Sequence, residues 1–126
     1  EVLENEGLIA RAAELGPVLG ARLQELATRH SMIGDVRGKG LLWGLEFVAD
    51  RTSRTPFAFE MDVAKRLTVE AAREGLLIYP RRGGGGLAGD HVLIAPPLII
   101  TIDELNELTE RLDRALTTVG RDLGFA

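Results

Sequence analysis

The fold of this chain is decided by residues 33–48, which read IGDVRGKGLLWGLEFV. Two β-prone runs flank the Gly-Lys-Gly segment at residues 38–40, and such a segment is a tight-turn signal. Apolar side chains alternate along the second run and therefore share one face of a strand. They are Leu41, Trp43, Leu45 and Phe47. The pattern predicts a β-hairpin with one well-buried face.

Helical periodicity lies on both sides of this hairpin. Residues 5–30 place leucine and alanine at steps of three and four, which predicts an amphipathic helix. Gly16-Pro17 interrupts the pattern, and because proline removes a backbone donor we expect a kink there or a break into two helices. Residues 59–74 predict a second helix, which Gly75 stops.

The remaining elements follow in the second half of the chain. The apolar run at residues 76–79, bounded by glycine and proline, predicts a buried strand. Residues 91–94 predict another short strand. A third helix begins at a capping box, in which Thr101 and Glu104 each accept the other's backbone N–H, and ends at Gly120.

The order of these elements is α-β-β-α-β-β-α. Strands that occur in pairs, with helices between the pairs, are typical of an α+β layer. We therefore expect residues 1–126 to form a single α+β domain. Its sheet would be mostly antiparallel, with three or four strands and with the helices packed on one face.

Composition excludes several classes of function. The 126 residues are 45% hydrophobic and 27% charged, a mix typical of globular proteins. The chain has no cysteine, which excludes a disulfide scaffold, an iron–sulfur site, a thiolate zinc site and a cysteine nucleophile. The same lack of cysteine favours a reducing, cytoplasmic location. A net charge of -4 and the lack of an apolar run near ~20 residues predict neither a nucleic-acid nor a membrane partner.

Few residues suggest chemistry of their own. The two histidines, His30 and His91, are far apart and predict no metal site, and neither serine lies in a nucleophile elbow. The loop at residues 81–90 contains four consecutive glycines, Gly83 to Gly86, whose N–H groups could form an anion nest, although a mobile loop is the alternative. Arg81 and Arg82 beside it could bind a carboxylate or phosphate in bidentate fashion, or could be solvated.

Three stretches taken together resemble a known family. Residues 33–47, 74–80 and 89–101 occur in the order and at the spacing found in the C-terminal small domain of class III aminotransferases, fold-type-I enzymes that use pyridoxal phosphate. The GDHVLIAPP form at residues 89–97 resembles the omega-amino-acid:pyruvate branch. The acetylornithine and ornithine branch tends to carry an arginine just before Ala-Pro-Pro, where this chain has Leu93-Ile94.

The resemblance implies that this chain is a fragment of a larger enzyme. In the family a large domain precedes this segment and supplies the Schiff-base lysine, the aspartate at the pyridine nitrogen and the phosphate-binding loop. Lys39 and Lys65 match no such motif, so we expect no catalytic residue, no bound cofactor and no activity in this chain alone. The implied parent is a homodimer that moves an amino group from an amine or amino acid to a pyruvate-like keto acid.

The resemblance also suggests substrate contacts. Some omega-transaminases place a mobile arginine shortly before the Gly-Asp-His motif, where this chain has Gly86. Arg81 or Arg82 is the candidate to take its place; the alternative is a substrate that lacks the carboxylate at that end. Arg37 is a third candidate, whose alternative is an ion pair with an acidic neighbour. Two other functions stay open: a non-catalytic binding or assembly module, and a small anion-binding domain that uses Arg81, Arg82 and the glycine loop.

Overall fold

Helices and strands alternate along the chain in the order that the sequence predicts. The computed structural model describes residues 2–81 and 90–125, with side chains from residue 7 onward. A short 3-10 turn at Phe59–Met61 precedes the second helix. The elements are α1 (Val2–Arg29), β1 (Ile33–Lys39), β2 (Leu42–Phe47), α2 (Val63–Arg73), β3 (Tyr79–Arg81), β4 (His91–Ile94) and α3 (Ile102–Asp122).

The four strands form one antiparallel sheet in the order β1-β2-β4-β3. Direct partners across the sheet share a face, so the pairs Trp43–Ile94 and Leu45–Val92 align their side chains on one side. Leu45 and Val92 are fully buried there, in one core with residues of all three helices. This confirms the predicted α+β architecture and the buried face of the hairpin.

The first helix is continuous, so of the two outcomes expected at Gly16-Pro17, a kink or a break into two helices, the break is wrong. Pro17 lies inside α1 and removes one helix hydrogen bond, because proline has no N–H. Leu15 and Leu19, on either side of it, are buried in the core, and their packing stabilises the helix despite this loss. Gly16 is needed for close packing instead: a Cβ there would lie 2.6 Å from the carbonyl oxygen of Gly40. Gly40 itself has a φ of 56°, which favours glycine in the β1–β2 turn.

The predicted buried strand at residues 76–79 is also wrong in its position and burial. The strand begins at Tyr79 and its three residues are exposed. Leu76 and Ile78 are buried without being part of a strand, whereas Leu77 is 80% exposed. Pro80 has no N–H to donate, and β3 accordingly lies at the sheet edge, where only one side needs hydrogen bonds.

The last two helices have well-defined ends. The predicted capping box is confirmed: Glu104 N–H donates to Thr101 Oγ1 at 3.1 Å, and Thr101 N–H donates to Glu104 Oε1 at 3.0 Å. Gly75, with a φ of 82°, follows α2 as expected. In the described part of the chain, none of the helices has the length and hydropathy needed to cross a bilayer.

Candidate functional site on the open sheet face

The helices leave one face of the sheet uncovered, and we call it the open sheet face. The strand register aligns two rows of side chains on it. A shallow groove of about 380 Å³ runs over the central strands, with Leu93 and Gly44 in its lining. The first row is Asp35, Glu46, His91 and Arg81, and the second is Arg37, Gly44, Leu93 and Tyr79.

The structure brings two of the three predicted substrate contacts onto this face but keeps them apart. Arg37 lies on the edge strand β1 and Arg81 on the opposite edge strand β3. Three strand spacings of about 4.8 Å separate these edges by ~14 Å. Arg82 and Gly83 to Gly86 lie outside the described residues.

The surroundings of the two arginines differ. Arg37 Nε donates to Asp35 Oδ2, which is the acidic neighbour that the sequence offered as the alternative to a substrate contact. Among the described residues, Arg81 Nη1 donates a local hydrogen bond to the carbonyl oxygen of Pro80 at 3.0 Å. Arg37 thus bonds to a carboxylate, whereas the acceptor described for Arg81 is a neutral carbonyl oxygen.

The middle of the open sheet face is apolar and flanked by charges of both signs. Leu93 lies between Tyr79 and Gly44 in its row, and Leu42 is 57% exposed at the start of β2. Glu46 sits in the neighbouring row. Such a surface can bind a small organic molecule with an apolar body and a charged end. Within residues 2–81 and 90–125, no group of three or more His, Cys, Asp and Glu side chains could hold a metal.

Asp90 is a residue whose role sequence reasoning missed. It is 8% exposed, and its Oδ2 accepts the N–H of Ala64 at 3.2 Å, in the first turn of α2. Its carbonyl oxygen also accepts the N–H of Phe47 at 2.9 Å. Asp62, at the N-cap position of α2, makes no side-chain cap. Asp90 thus caps a helix distant in sequence and fixes the chain beside the open sheet face. No local sequence signal marks this role, because Asp62 is itself a preferred N-cap residue.

Within residues 7–81 and 90–125, a clearly shifted pKa belongs to Arg114, which forms a structural ion pair. Arg114 Nε donates to Glu74 Oε1 at 2.7 Å, and this hydrogen bond raises the pKa of Arg114. The pair joins α3 to the end of α2. A guanidinium is already ionised at neutral pH, so the shift adds no acid or base to the open sheet face.

The described residues do not form a site for a Schiff-base cofactor. Such a site needs an enclosed lysine, whose amine loses its proton more easily when desolvated. Lys39 and Lys65 are the only lysines of the sequence, and both are exposed. Lys39 ends β1 at the turn, and Lys65 lies on the outer surface of α2.

Comparison with known proteins gives a consistent result. The family model for aminotransferase class-III matches residues 1–116. Taurine–pyruvate aminotransferase of Rhodobacter capsulatus is 42% identical over 116 residues, which cover 91% of this chain and 25% of that protein. The crystal structure of the omega-transferase from Vibrio fluvialis JS17 superposes with a TM-score of 0.85 at 34% identity, covering 99% of this chain and 28% of that one.

A third likeness concerns a cofactor-bound protein. The PLP-bound amine transaminase from an uncultivated Pseudomonas species has a TM-score of 0.80 at 34% identity, covering 94% of this chain and 25% of that one. This chain thus spans about a quarter of the length of the proteins it matches. By its sequence and by its fold, the chain belongs to the class-III aminotransferase family.

Proposed function

We propose that this chain is the C-terminal small domain of a pyridoxal-phosphate-dependent aminotransferase. The parent moves an amino group from an amine or amino acid to a pyruvate-like keto acid, as a cytoplasmic homodimer. The observation that carries the proposal is that nearly the whole chain matches about a quarter of established family members. The remaining part of such a protein is long enough to hold a separate cofactor-binding domain.

The upstream reading frame tests this proposal directly. We expect it to encode a lysine-bearing domain, and the complete polypeptide to transfer amino groups from taurine, an aliphatic amine or an amino acid to pyruvate. The 126-residue chain alone should be inactive in the same assay. A complete polypeptide that carries no cofactor domain and no transaminase activity would contradict the proposal and favour a binding or assembly module.

The cofactor is expected to attach outside this chain. Pyridoxal phosphate supplies the electron sink of amino-group transfer when it is bound. After incubation with pyridoxal phosphate and reduction with borohydride, the 126-residue chain should carry no stoichiometric adduct at Lys39 or Lys65, because both amines are exposed and lack an enclosing site. Peptide mass spectrometry measures this. In the complete polypeptide one adduct should appear, at a lysine outside residues 1–126, and a stoichiometric adduct within them would sink the expectation.

Within the parent, the open sheet face is proposed as a wall of the substrate site. Its apolar centre around Leu93 suits the body of an organic amine, and Arg81 and Arg82 are proposed to bind the carboxylate of the keto acid. Arg37 is the third proposed contact. Its guanidinium is already paired with Asp35, so its contribution is proposed to be the smallest.

Replacing these arginines should weaken keto-acid binding in the complete enzyme. Arg81→Ala and Arg82→Ala should each raise KM for pyruvate about tenfold, because a hydrogen bond to a charged group contributes about 1.5–3 kcal/mol. Arg37→Ala should raise it less. Steady-state kinetics with pyruvate, and with an amine donor that lacks a carboxylate, provide the measurement.

Arg73→Ala is the matched control for that series. Arg73 is an exposed arginine of α2 that pairs with Glu70 at 2.6 Å. Its replacement should leave KM for pyruvate unchanged. None of the variants should change KM for the amine donor that lacks a carboxylate. If Arg81→Ala and Arg82→Ala behave like Arg73→Ala, the two arginines do not contact the substrate.

A further inference from the structure

The exposed apolar residues of the chain are concentrated at one end of the sheet. Nine large hydrophobic side chains stand exposed in the part of the chain that the structure describes. Seven of them lie at the end that holds the β1–β2 turn. The six most exposed of these define what we call the apolar end: Ile9, Leu42, Leu77, Tyr79, Ile99 and Ile102.

The strand directions explain why residues so far apart in sequence meet there. In the antiparallel order β1-β2-β4-β3, the start of β2, the start of β3 and the end of β4 all lie at the end of the sheet with the β1–β2 turn. The helix α1 joins them, because Arg11 Nη2 donates to the carbonyl oxygen of Ile100 at 2.6 Å. The opposite end carries polar residues instead, among them Arg81, His91 and Glu46.

The helix α1 also extends past the sheet at the apolar end. A helix of 28 residues is roughly 42 Å long, at ~1.5 Å per residue, whereas a strand of seven residues spans only about 23 Å. Gly40, in the turn, lies opposite Ala12. Ile9 is three residues nearer the helix start and is 69% exposed, while Leu19 and Leu23 further along are fully buried. The apolar stripe of α1 therefore continues beyond the surface that covers it.

A surface of this kind is costly in water. Proteins that act alone rarely leave apolar patches of more than a few hundred Å² exposed, and larger patches mark contacts with a partner. The chain's own core is already closed, with Leu45, Phe47 and Leu112 fully buried. The matching proteins are about four times as long as this chain, so their remaining length can supply such a partner.

We propose that the apolar end is the surface against which the remainder of the parent polypeptide packs. This inference rests on the proposed function, because it needs a parent longer than the chain. The inference identifies the exposed surfaces that the parent covers. These are the segments around Leu77 and Ile99 and the first described turns of α1, whereas the outer surface of α2 stays exposed. The partner surface is apolar, and it packs against the part of the apolar stripe of α1 that extends past the sheet.

Thiol labelling of the complete polypeptide tests the proposal. Because this chain contains no cysteine, Leu77→Cys, Ile99→Cys and the control Val69→Cys each introduce a single thiol within it. Leu77 is 80% exposed and Ile99 75%, against 43% for Val69 on α2. The chain by itself thus predicts faster labelling at residues 77 and 99, and a covering domain reverses that order.

The measured quantity is the rate of maleimide labelling in the native protein divided by the rate in urea, followed by peptide mass spectrometry. We expect Leu77→Cys and Ile99→Cys to label at least tenfold more slowly than Val69→Cys. If the complete polypeptide is an active aminotransferase but residues 77 and 99 label faster than residue 69, this inference is overturned and the proposed function stays intact. If labelling at residues 77 and 99 is slow but becomes fast on dilution, a second copy of the protein covers the surface, and the inference is likewise overturned. A complete polypeptide without transaminase activity refutes the proposed function separately.

Discussion

Phe47→Ala is expected to destabilise the chain by about 3–5 kcal/mol, the range measured when a buried aromatic side chain is truncated to alanine. Phe47 is fully buried at the end of β2, in the core shared by the sheet and the helices. Its removal takes away apolar contacts and leaves a cavity that the surrounding elements can fill only in part. Urea unfolding followed by circular dichroism gives the free energy of unfolding, and the thermal midpoint should fall by roughly 10 °C or more.

Phe59→Ala is the matched control, because it removes the same atoms from an exposed position. Phe59 lies in the 3-10 turn and is 61% exposed. Its truncation should change the free energy of unfolding by less than about 1 kcal/mol. Equal losses for the two variants would mean that the packing around Phe47 is not as described.

Gly16→Ala is expected to destabilise the chain by about 1–3 kcal/mol, the usual cost of overpacking, even though alanine favours helices. The added methyl group would lie 2.6 Å from the carbonyl oxygen of Gly40 and 2.9 Å from its Cα. Both atoms are backbone, so relief requires α1 or the β1–β2 turn to move. Urea unfolding of the variant measures the loss, and amide exchange at the turn should accelerate.

Gly7→Ala separates this steric effect from the helix propensity of alanine. Gly7 lies in the same helix, and nothing stands within 4 Å of the position that its Cβ would take. The free energy of unfolding of this variant should rise by up to about 1 kcal/mol, since glycine in a helix interior costs roughly that much relative to alanine. A Gly16→Ala protein as stable as Gly7→Ala would refute the close approach of α1 to the turn.

Much of the fold could be predicted because its signals are local. The capping box of α3 needs only Thr101 and Glu104, three residues apart in one helix turn, and it forms as predicted. The alternation of residues 41–47 likewise sets which face of β2 is buried, since successive side chains point to opposite sides. The pairing of strands into one antiparallel sheet followed from their order along the chain.

The errors arose where distant segments override a local signal. Gly16-Pro17 is a helix-breaking pair by itself, yet α1 continues because Leu15, Gly16 and Leu19 are held by packing on its buried side. The run at residues 76–79 has a strand-like composition, but the strand lies at Tyr79–Arg81, where β4 offers partners. In both cases tertiary contacts outweigh a preference of about 1–3 kcal/mol.

The candidate site was predicted in part. Arg37 and Arg81 were selected from the sequence, and their substrate contacts remain predictions to be tested by kinetics. Their placement at opposite edges of one face depends on the strand order, which puts β4 between β2 and β3. Asp90 was missed because the N–H that it accepts belongs to Ala64, in a helix 26 residues earlier in the chain.

The amino-acid sequence by itself determined the order of elements, the buried face of the hairpin and the family, since each depends on spacings of a few residues repeated along the chain. Only the tertiary structure decided which charged side chains share the open sheet face and that the exposed apolar residues meet at one end. These properties depend on strand order and on helix length relative to the sheet. Residues such as Ile9 and Ile99 are 90 positions apart in sequence, and no local pattern brings them together.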